Sequence, residues 1–383
     1  MIEILITDRN LRPVGDILDG WTGLDIIGRD REPDSGTFSI PARPDIVAQI
    51  QPGNRVVVER DGEILTAGPI EAPGPYQWSA SGEHAGDGTQ TITWADDSAP
   101  IAGRVTYPDP AAAATAQTTV SHWTRSATSA EVVMRDLVRL NAGADALAAR
   151  RIPRLALGAL AGVGTSIDFS TRWEPLGDAL RRAALAGGGL GFRTRQVGDE
   201  ILFEVYEPRD LTSTVWFSRG LGNLQAITYE STAPTVTAAI VGGQGELTAR
   251  TIRERVDSTA AATWWRIERF LDQTQEEDIA ALDQAGDEAL AEGAETARLA
   301  MVTVDTPDQR YGRDYGLSDK VPVEIHDDLV VVEVVRGYHL QQAHANAPEL
   351  VTALIGSQEA SRDPAWVRVG RDLARRLGQQ ERR

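Results

Sequence analysis

The sequence predicts an α+β protein dominated by β-structure and built as a scaffold of small β-domains. Two strand-rich blocks, residues 52–68 and 316–340, lie at opposite ends of the main body, and each passes through a turn and returns as a strand. The 36 glycines and 19 prolines favour turns and loops. The sequence between the blocks contains no compact catalytic motif, so the pattern favours a structural role over an enzymatic one.

Length and composition restrict the classes of function. The 383 residues suffice for two to four domains with cores of their own. A net charge of −18 repels polyanions, which argues against nucleic-acid binding as the main function and leaves DNA only as a passing cargo. The chain has no cysteine, so disulfides and thiolate metal sites are excluded. No apolar run approaches the ~20 residues of a membrane span, and Met1–Thr7 lacks the basic flank of a signal peptide, so we expect assembly in the cytosol.

Residues 1–105 are predicted to form a first β-domain. Ile2, Ile4 and Ile6 alternate with polar neighbours, which is typical of a half-buried strand. An Asp61-Gly62 pair between two β-forming runs is a strong hairpin signal. Further strands are expected at 21–28, 36–41 and within 73–94, with one short helical turn at 45–51.

Residues 106–210 are predicted to form a connector followed by a small α+β domain. The capping boxes Thr128-x-x-Glu131 and Thr171-x-x-Glu174 predict two helix starts. Gly198-Asp199 separates two alternating runs and predicts another hairpin. The expected elements are helices at 128–141 and after 174, and strands at 151–157, 191–197 and 200–206.

Residues 211–360 are predicted to form a second β-domain with an inserted acidic helix at about 275–299, followed by a basic C-terminal tail at 361–383. The apolar stripe of the inserted helix is thin, so we expect this helix at a surface or against a partner. The predicted strands cover 224–230, 235–241, 300–304 and 320–340, together with a pair formed by 248–257 and 264–271.

Several residue patterns could carry chemistry. The glycine cluster 242–246 lacks the Lys-Ser/Thr pair and the following helix of a phosphate loop, so it predicts a turn or bulge. The five histidines have no metal-ligand spacing. Acidic groups at Asp96-Asp97, Asp327-Asp328 and 276–278 could supply an acid and a base for glycoside cleavage. Acidic doublets are commoner in turns and at helix starts, so the structural interpretation is preferred.

Trp264 and Trp265 are the most prominent aromatic pair. Neighbours in a strand point to opposite faces, so we expect one ring in the core and the other on a second surface. A subunit contact at that surface is favoured over a sugar-binding platform.

The order of several segments resembles a known family. It includes Ile2–Asp8, Asp34–Pro41, the hairpin from Arg55 to Gly62, Arg172–Leu176, Gly220–Leu224, Val241–Glu246 with Arg250, and Tyr315–Val321. This ordered set resembles the tail hub, or tail-tip minor tail protein, of long-tailed phages, which has a baseplate-hub-like fold. The resemblance covers about residues 1–355 and leaves the basic tail outside. Ser318 stands where a glycine is expected in the Gly-Asp-Lys-Val turn.

The resemblance implies a homotrimer in which each chain contributes two tube-like β-barrel domains, so that a threefold ring matches a sixfold tail tube and encloses the DNA channel at the virion tail tip. It implies contacts with a distal tail protein, a tape-measure protein, and a tail fibre, spike or receptor-binding protein, and it implies no catalytic residue, cofactor or metal. The alternatives are a tail-associated enzyme that degrades cell wall and a glycan-binding tip module.

The basic C-terminal tail has two interpretations. Arg371, Arg375 and Arg376 lie beside Leu373 and Leu377. They predict either a solvated helix or an arm that docks on the acidic face of a neighbouring subunit or another tail protein.

Overall fold

The computed structural model describes residues 1–81, 86–274, 276–326 and 329–356. These residues form two compact units. The first unit contains residues 1–226 and 301–355, and the second contains residues 227–300. The domain boundaries predicted from the sequence stay a prediction.

Strands predominate in the described residues, which confirms the β-dominated class. The strands are β1 Ile2–Thr7, β2 Thr22–Arg29, β3 Ser35–Pro41, β4 Arg55–Arg60, β5 Glu63–Gln77, β6 Thr89–Ala95, β7 Trp123–Ser129, β8 Leu155–Leu157, β9 Ser166–Thr171, β10 Gly191–Val197, β11 Glu200–Tyr206, β12 Leu224–Thr232, β13 Ala238–Gly242, β14 Ile252–Val256, β15 Glu268–Asp272, β16 Thr296–Thr303, β17 Lys320–His326, β18 Leu329–His344 and β19 Leu350–Gly356. The α-helices are α1 Pro44–Val47, α2 Ala99–Ala102, α3 Ala130–Asn141, α4 Leu176–Ala186, α5 Ser258–Trp264 and α6 Ile279–Glu292.

One large sheet organises the fold. Its order is β1-β4-β5-β6-β3-β2-β18-β19, continued by β16 and β12, and β17 pairs with β18. The boundaries between the two units fall within β12 and β16. The pairing of β18 with β2 joins the two strand-rich blocks of the sequence in this single sheet. Smaller sheets have the orders β10-β11-β8, β7-β9 and β14-β13-β15.

The predicted barrels are not closed, because no sheet among the described residues closes on itself. Closure requires each strand to have a neighbour on both sides, but β1 lies at one end of the sheet order and β12 at the other. The β-dominated class is therefore correct, and the tube-like closure is absent from the described sheets.

The first hairpin shows how local sequence sets the register of this sheet. Ile2, Ile4 and Ile6 are buried, and β1 pairs antiparallel with β4 so that Ile4 lies opposite Val58. Asp61 and Gly62 have φ angles of 56° and 84° between β4 and β5. Positive φ at both central residues is the geometry that Asp-Gly favours in a two-residue hairpin turn. The predicted strand and hairpin are confirmed.

The α+β part of the first unit is built on α3 and α4. The two helices pack together and contribute Val133, Leu137, Leu176 and Leu180 to a shared buried cluster. The predicted helices are thus present, and the hairpin of β10 and β11 has the predicted bounds.

The predicted capping box of α3 is wrong, although the helix is real. Thr128 belongs to β7 and donates its hydroxyl to the Ser126 carbonyl at 2.9 Å, and the helix begins at Ala130 without a side-chain cap. Glu131 is fully buried and accepts backbone N–H groups from Ala161, Gly162 and Val163 at 2.7, 2.7 and 2.9 Å. The carboxylate therefore holds a distant loop instead of capping its own helix.

Glu131→Gln is expected to lower the free energy of unfolding by about 2 kcal/mol, because an amide nitrogen would replace one acceptor of the buried side chain and would face a backbone N–H that is also a donor. Denaturant unfolding followed by circular dichroism measures this. Glu200→Gln, at an exposed position of β11, serves as control and should change stability by less than about 0.5 kcal/mol. Equal stabilities for the two variants would contradict the assigned role of Glu131.

The second unit corrects the predicted pairing of 248–257 with 264–271. The strands β14 and β15 lie on opposite edges of β13, antiparallel and parallel to it respectively, and do not pair with each other. The predicted acidic helix is present as α6 but is shorter than 275–299. The glycine cluster forms a turn after β13, where Arg250 donates to the Gly243 carbonyl at 3.0 Å. The predicted turn is confirmed.

Candidate functional site

A large polar cleft lies in the first unit and has a volume of about 740 Å³. It is lined by charged side chains and tyrosines from β5, β10, the segment after β11, the loop before β17, and the ends of β2 and β6. The lining includes Asp34, Arg60, Glu63, Asp96, Asp97, Thr194, Tyr206, Glu207, Arg209, Arg310, Tyr311, Asp319 and Tyr338. The sequence brings none of these segments together; only the sheet topology does.

Arg60 is a buried cation of the cleft with three partners. It lies at the end of β4, is buried, and donates to Asp305, to Glu349 at 2.7 Å and to the Tyr311 carbonyl at 2.7 Å. The guanidinium thus bridges segments that lie about 250 and 290 residues away along the chain. A charge buried with several partners is costly to leave incompletely paired, so Arg60 holds the loop before β17 against the first hairpin.

Two neighbouring carboxyl groups stand out in the cleft wall. Asp34 accepts the backbone N–H of Arg29 at 2.9 Å, and its own carbonyl accepts the N–H of Asp96 at 3.0 Å. Burial raises the pKa of Asp34 to about 7, although the bond from Arg29 opposes the shift. Burial, and then the negative charge of Asp34, raise the pKa of Asp96 well above its usual range.

The other member of the predicted acidic pair has a structural role. Asp97 is buried and receives two bonds from the Arg55 guanidinium, one of them at 3.0 Å from Nε. Burial raises the pKa of Asp97 and the Arg55 charge opposes the shift. Both carboxylate oxygens of Asp97 accept bonds from Arg55. Asp97 is therefore not available to act with Asp96 as an acid and base pair on one substrate.

The second unit carries an apolar sheet face opposite α6. Arg253 and Arg255 of β14 bind Asp283 and Asp287 of α6, so these two arginines point towards the helix. Alternate residues of a strand point the other way. The β14-β13-β15 registers therefore place on the opposite side a surface, here called the open face, formed by Ile240, Ile252, Glu254, Val256, Glu268 and Phe270.

The open face is accessible and largely apolar. Ile252 is 52% exposed and Phe270 is 53% exposed. Its two carboxylates share one cation, because Arg266 binds Glu254 and binds Glu268 at 2.7 Å. A face with exposed apolar groups and internally neutralised charges has the composition of an interface core with a polar rim.

The predicted tryptophan pair lies before β15 and not in a strand. Trp264 is the last residue of α5, and its indole N–H donates to Glu295 at 2.8 Å. Trp265 has a φ of 75° and is 84% exposed. The expectation that strand alternation sends one ring to the core is wrong, because the backbone leaves the helix in a left-handed conformation and β15 begins only at Glu268.

Some predicted groups cannot be placed. Arg371, Arg375, Arg376, Asp327 and Asp328 lie outside the described residues. Within the described ranges, no three His, Asp or Glu side chains are grouped as metal ligands, and no helix is both long and apolar enough to cross a membrane.

The comparison with protein families decides the classification. The family described as siphovirus ReqiPepy6 Gp37-like protein matches residues 2–357. The chain belongs to this family. The resemblance to long-tailed phage tail proteins inferred from the sequence is thereby confirmed, and this Gp37-like chain is a phage-tail-like structural protein. No curated protein matches it.

Solved phage tail proteins share the fold of the Gp37-like chain. The 43 kDa tail protein of prophage MuSo2 from Shewanella oneidensis has 13% identity and a TM-score of 0.58, covering 94% of this chain and 99% of that chain. The tail protein from Neisseria meningitidis MC58 has 14% identity and a TM-score of 0.55, with coverages of 94% and 97%. Prophage tail protein gp18 from Listeria monocytogenes EGD-e has 9% identity and a TM-score of 0.50, with coverages of 98% and 99%.

Sequence reasoning missed the main charged residues of the Gp37-like chain. Arg60 was visible only within the hairpin from Arg55 to Gly62, and Asp34 only as the first residue of the segment Asp34–Pro41. A charged residue close to an apolar run, as Arg60 is to Val56-Val57-Val58, indicates a buried ion pair only if its partners are known. Those partners come from another part of the chain.

Proposed function

We propose that the protein is the hub of a phage tail tip, and that three copies form a ring that matches a sixfold tail tube to threefold tip components and encloses the DNA channel. Each chain contributes the hairpins β4-β5 and β17-β18 to its large sheet, so three chains offer six such hairpins. A net charge of −18 suits a lumen through which DNA slides without binding. The family membership supports the tail assignment, and the remaining steps rest on the surfaces described above.

The single observation that carries the trimer is the open face of the second unit. A three-stranded sheet covered by a helix on one side only leaves its other side to water or to a partner. Here that side exposes Ile252 and Phe270, and Trp265, in the same unit, is the second most exposed large apolar side chain among the described residues. We infer that the open face and Trp265 form the contact between neighbouring subunits, with Trp264 holding the adjacent backbone through Glu295.

The proposed partners follow from position in such a ring. A distal tail protein lies above the hub, a tape-measure protein within it, and a tail fibre, spike or receptor-binding protein below it. Assembly takes place in the host cytoplasm before the tip joins the virion.

The double substitution Ile252→Glu with Phe270→Glu is expected to raise the dissociation constant of the oligomer at least tenfold. It places two unpaired carboxylates in the contact, and each costs more than the ~1.4 kcal/mol that a tenfold change requires. Analytical ultracentrifugation of the full chain over a range of concentrations measures the change.

Leu247→Glu is the matched control, because Leu247 is 95% exposed in the same unit but lies outside the open face. It should leave the dissociation constant within twofold. A mass of one chain at every concentration, both alone and with tail tubes added, would refute the hub. An intact trimer in the double variant would keep the hub and refute the open face as its contact.

A further inference from the structure

We propose that a surface patch on the α+β part of the first unit binds a sugar ring that carries a carboxylate or phosphate group. The patch, here called the arginine-aromatic patch, consists of Arg104, Tyr107, Arg150 and Trp173. It combines two cations that lack counter-charges with an exposed indole ring. All four residues belong to the first unit and the open face belongs to the second, so this proposal is independent of the proposed subunit contact.

Unpaired arginines are concentrated in this part of the chain, although the protein carries a net charge of −18. Between residues 104 and 172, three arginines each bind an aspartate. The other five form no ion pair with any described residue: Arg104, Arg135, Arg150, Arg151 and Arg172. Arg104 and Arg150 share a neighbourhood, because Arg150 binds the carbonyl of the residue that follows Arg104. These two can therefore act together on one ligand.

Arg150 is held in place by a ring and by two acceptors. Its guanidinium carbon lies 3.6 Å from the centroid of the Tyr107 ring. It donates to the Val105 carbonyl, and at 3.3 Å to Oδ1 of the buried Asn141 at the end of α3. These bonds use two of the five N–H donors of a guanidinium, so the others stay available to a ligand. The Nε atom of Arg104 is buried and has no hydrogen-bond partner among the described residues.

The two guanidinium groups of the patch repel each other. Burial lowers the pKa of Arg150, the Tyr107 hydroxyl opposes the shift, and the charge of Arg104 adds to it. The carboxylate of Glu174, the residue after Trp173, is already bound by Arg182 at 2.7 Å. Two neighbouring cations without a counter-charge are stabilised when an anion binds to both, and carboxylate and phosphate groups are the anions that guanidinium donors match.

Trp173 adds an aromatic surface beside these charges. Its side chain is 40% exposed, and its φ of 53° is unusual for a bulky residue. The backbone N–H of Trp173 donates to the Thr106 carbonyl at 3.0 Å, and the indole meets the Tyr107 ring edge-on with centroids 5.1 Å apart. Strained backbone that neighbouring contacts hold in place is found preferentially at ligand sites. The apolar face of a sugar ring can pack on such an indole while its charged group binds the arginines.

Isothermal titration calorimetry of the full chain tests the ligand class. Glucose phosphate and a tetramer of galacturonic acid represent the two sources of negative charge. Glucose and maltotetraose are their neutral counterparts, and inorganic phosphate is an anion without a ring. We expect one of the two anionic sugars to bind at least about tenfold more tightly than the neutral sugars and inorganic phosphate, because only an anionic sugar uses both the arginines and the indole. The tighter of the two identifies the charged group.

Substitutions test the residues of the patch. Arg104→Gln should weaken binding of the tighter anionic sugar about tenfold, because it removes a charged donor, and Trp173→Ala should weaken it about fivefold. Arg219→Gln is the matched control and should leave binding within twofold. Arg219 is exposed, forms no ion pair with a described residue, and donates to the Ile325 carbonyl at 3.0 Å outside the patch. Thermal unfolding of each variant shows that the fold is retained.

Four results would overturn the proposal. They are no binding of either anionic sugar at concentrations up to about 10 mM, equal affinity for the anionic and neutral sugars, equal affinity for inorganic phosphate, and a folded Arg104→Gln variant that binds as the wild type does. Tighter binding of a hexaglutamate peptide than of either sugar would also overturn it, because an acidic protein segment would then be the occupant. None of these results would bear on the hub, which is tested by the mass of the oligomer.

Discussion

Arg60→Ala is expected to lower the free energy of unfolding by about 3–5 kcal/mol. The substitution leaves Asp305 and Glu349 without their shared cation and leaves the Tyr311 carbonyl without a donor. Both carboxylates are mostly buried, with 16% of each side chain exposed. Removing one partner of a buried ion pair is far more destabilising than removing an exposed one. Urea unfolding of the full chain at neutral pH measures the effect.

Arg255→Ala is the matched control for Arg60. Arg255 also binds a carboxylate, Asp287, at 2.7 Å, but 41% of the arginine and 52% of the aspartate side chain is exposed. Such exposed pairs contribute little to the free energy of unfolding. A loss of similar size in both variants would show that Arg60 acts through charge alone and not through its buried position between distant segments.

Asp34→Asn is expected to make the protein more stable than wild type by about 4 kcal/mol at pH 8 and by about 1.5 kcal/mol at pH 5, and to leave stability below pH 4 nearly unchanged. The pKa of Asp34 is raised from 3.8 to about 7 in the folded chain, mainly by burial. The folded state therefore binds a proton more tightly than the unfolded state. Stability is fully present below pH 4 and is lost as pH rises towards 7, by about 1.4 kcal/mol per pH unit within that window.

An asparagine at position 34 keeps the acceptor for the Arg29 N–H but carries no charge, so this loss disappears. The groups that interact with the Asp34 carboxyl are the Arg29 guanidinium, the Tyr338 hydroxyl and the neighbouring Asp96 carboxyl. Chemical denaturation of both proteins from pH 5 to 8 measures the difference.

Asp8→Asn is the control with the opposite sign. Asp8 accepts the N–H groups of Asn10 and Arg12, and the bond from Arg12 is the main cause of its lowered pKa. Replacing the Asp8 carboxylate by an amide should therefore reduce the free energy of unfolding at pH 8, not increase it. The raised pKa of Asp34 predicts that the wild type loses stability relative to Asp34→Asn between pH 5 and pH 8. An equal difference in unfolding free energy at the two pH values would contradict it.

Local sequence predicted the elements best where side chains and turn chemistry agreed. The alternation of Ile2, Ile4 and Ile6 with polar residues gave β1, and Asp61-Gly62 and Gly198-Asp199 gave hairpins. These signals depend on residues close together in the chain. Prediction failed where a local signal served a distant purpose: Glu131 looked like a capping residue, but its carboxylate binds the loop at 161–163.

The tryptophan pair shows the same limit. A run of bulky residues before Glu268 favoured a strand, but Asp257 accepts the N–H groups of Thr259 and Ala260 and thereby caps a helix that ends at Trp264. A local cap therefore overrode the β-propensity of the aromatic residues. One exposed ring in the pair was expected, but the exposure of Trp265 comes from a left-handed residue after a helix and not from the alternation of a strand.

The sequence alone determined the β-dominated class, the hairpins, the absence of thiol chemistry and the resemblance to phage tail proteins, because alternation, turn residues, composition and segment order are properties of neighbouring residues. Only the tertiary structure decided that β18 pairs with β2, that the sheets stay open, and that Arg60, Asp305 and Glu349 meet at one cleft. Contacts between residues hundreds of positions apart depend on which strands become neighbours. That choice is made by the burial of whole faces and not by any short segment.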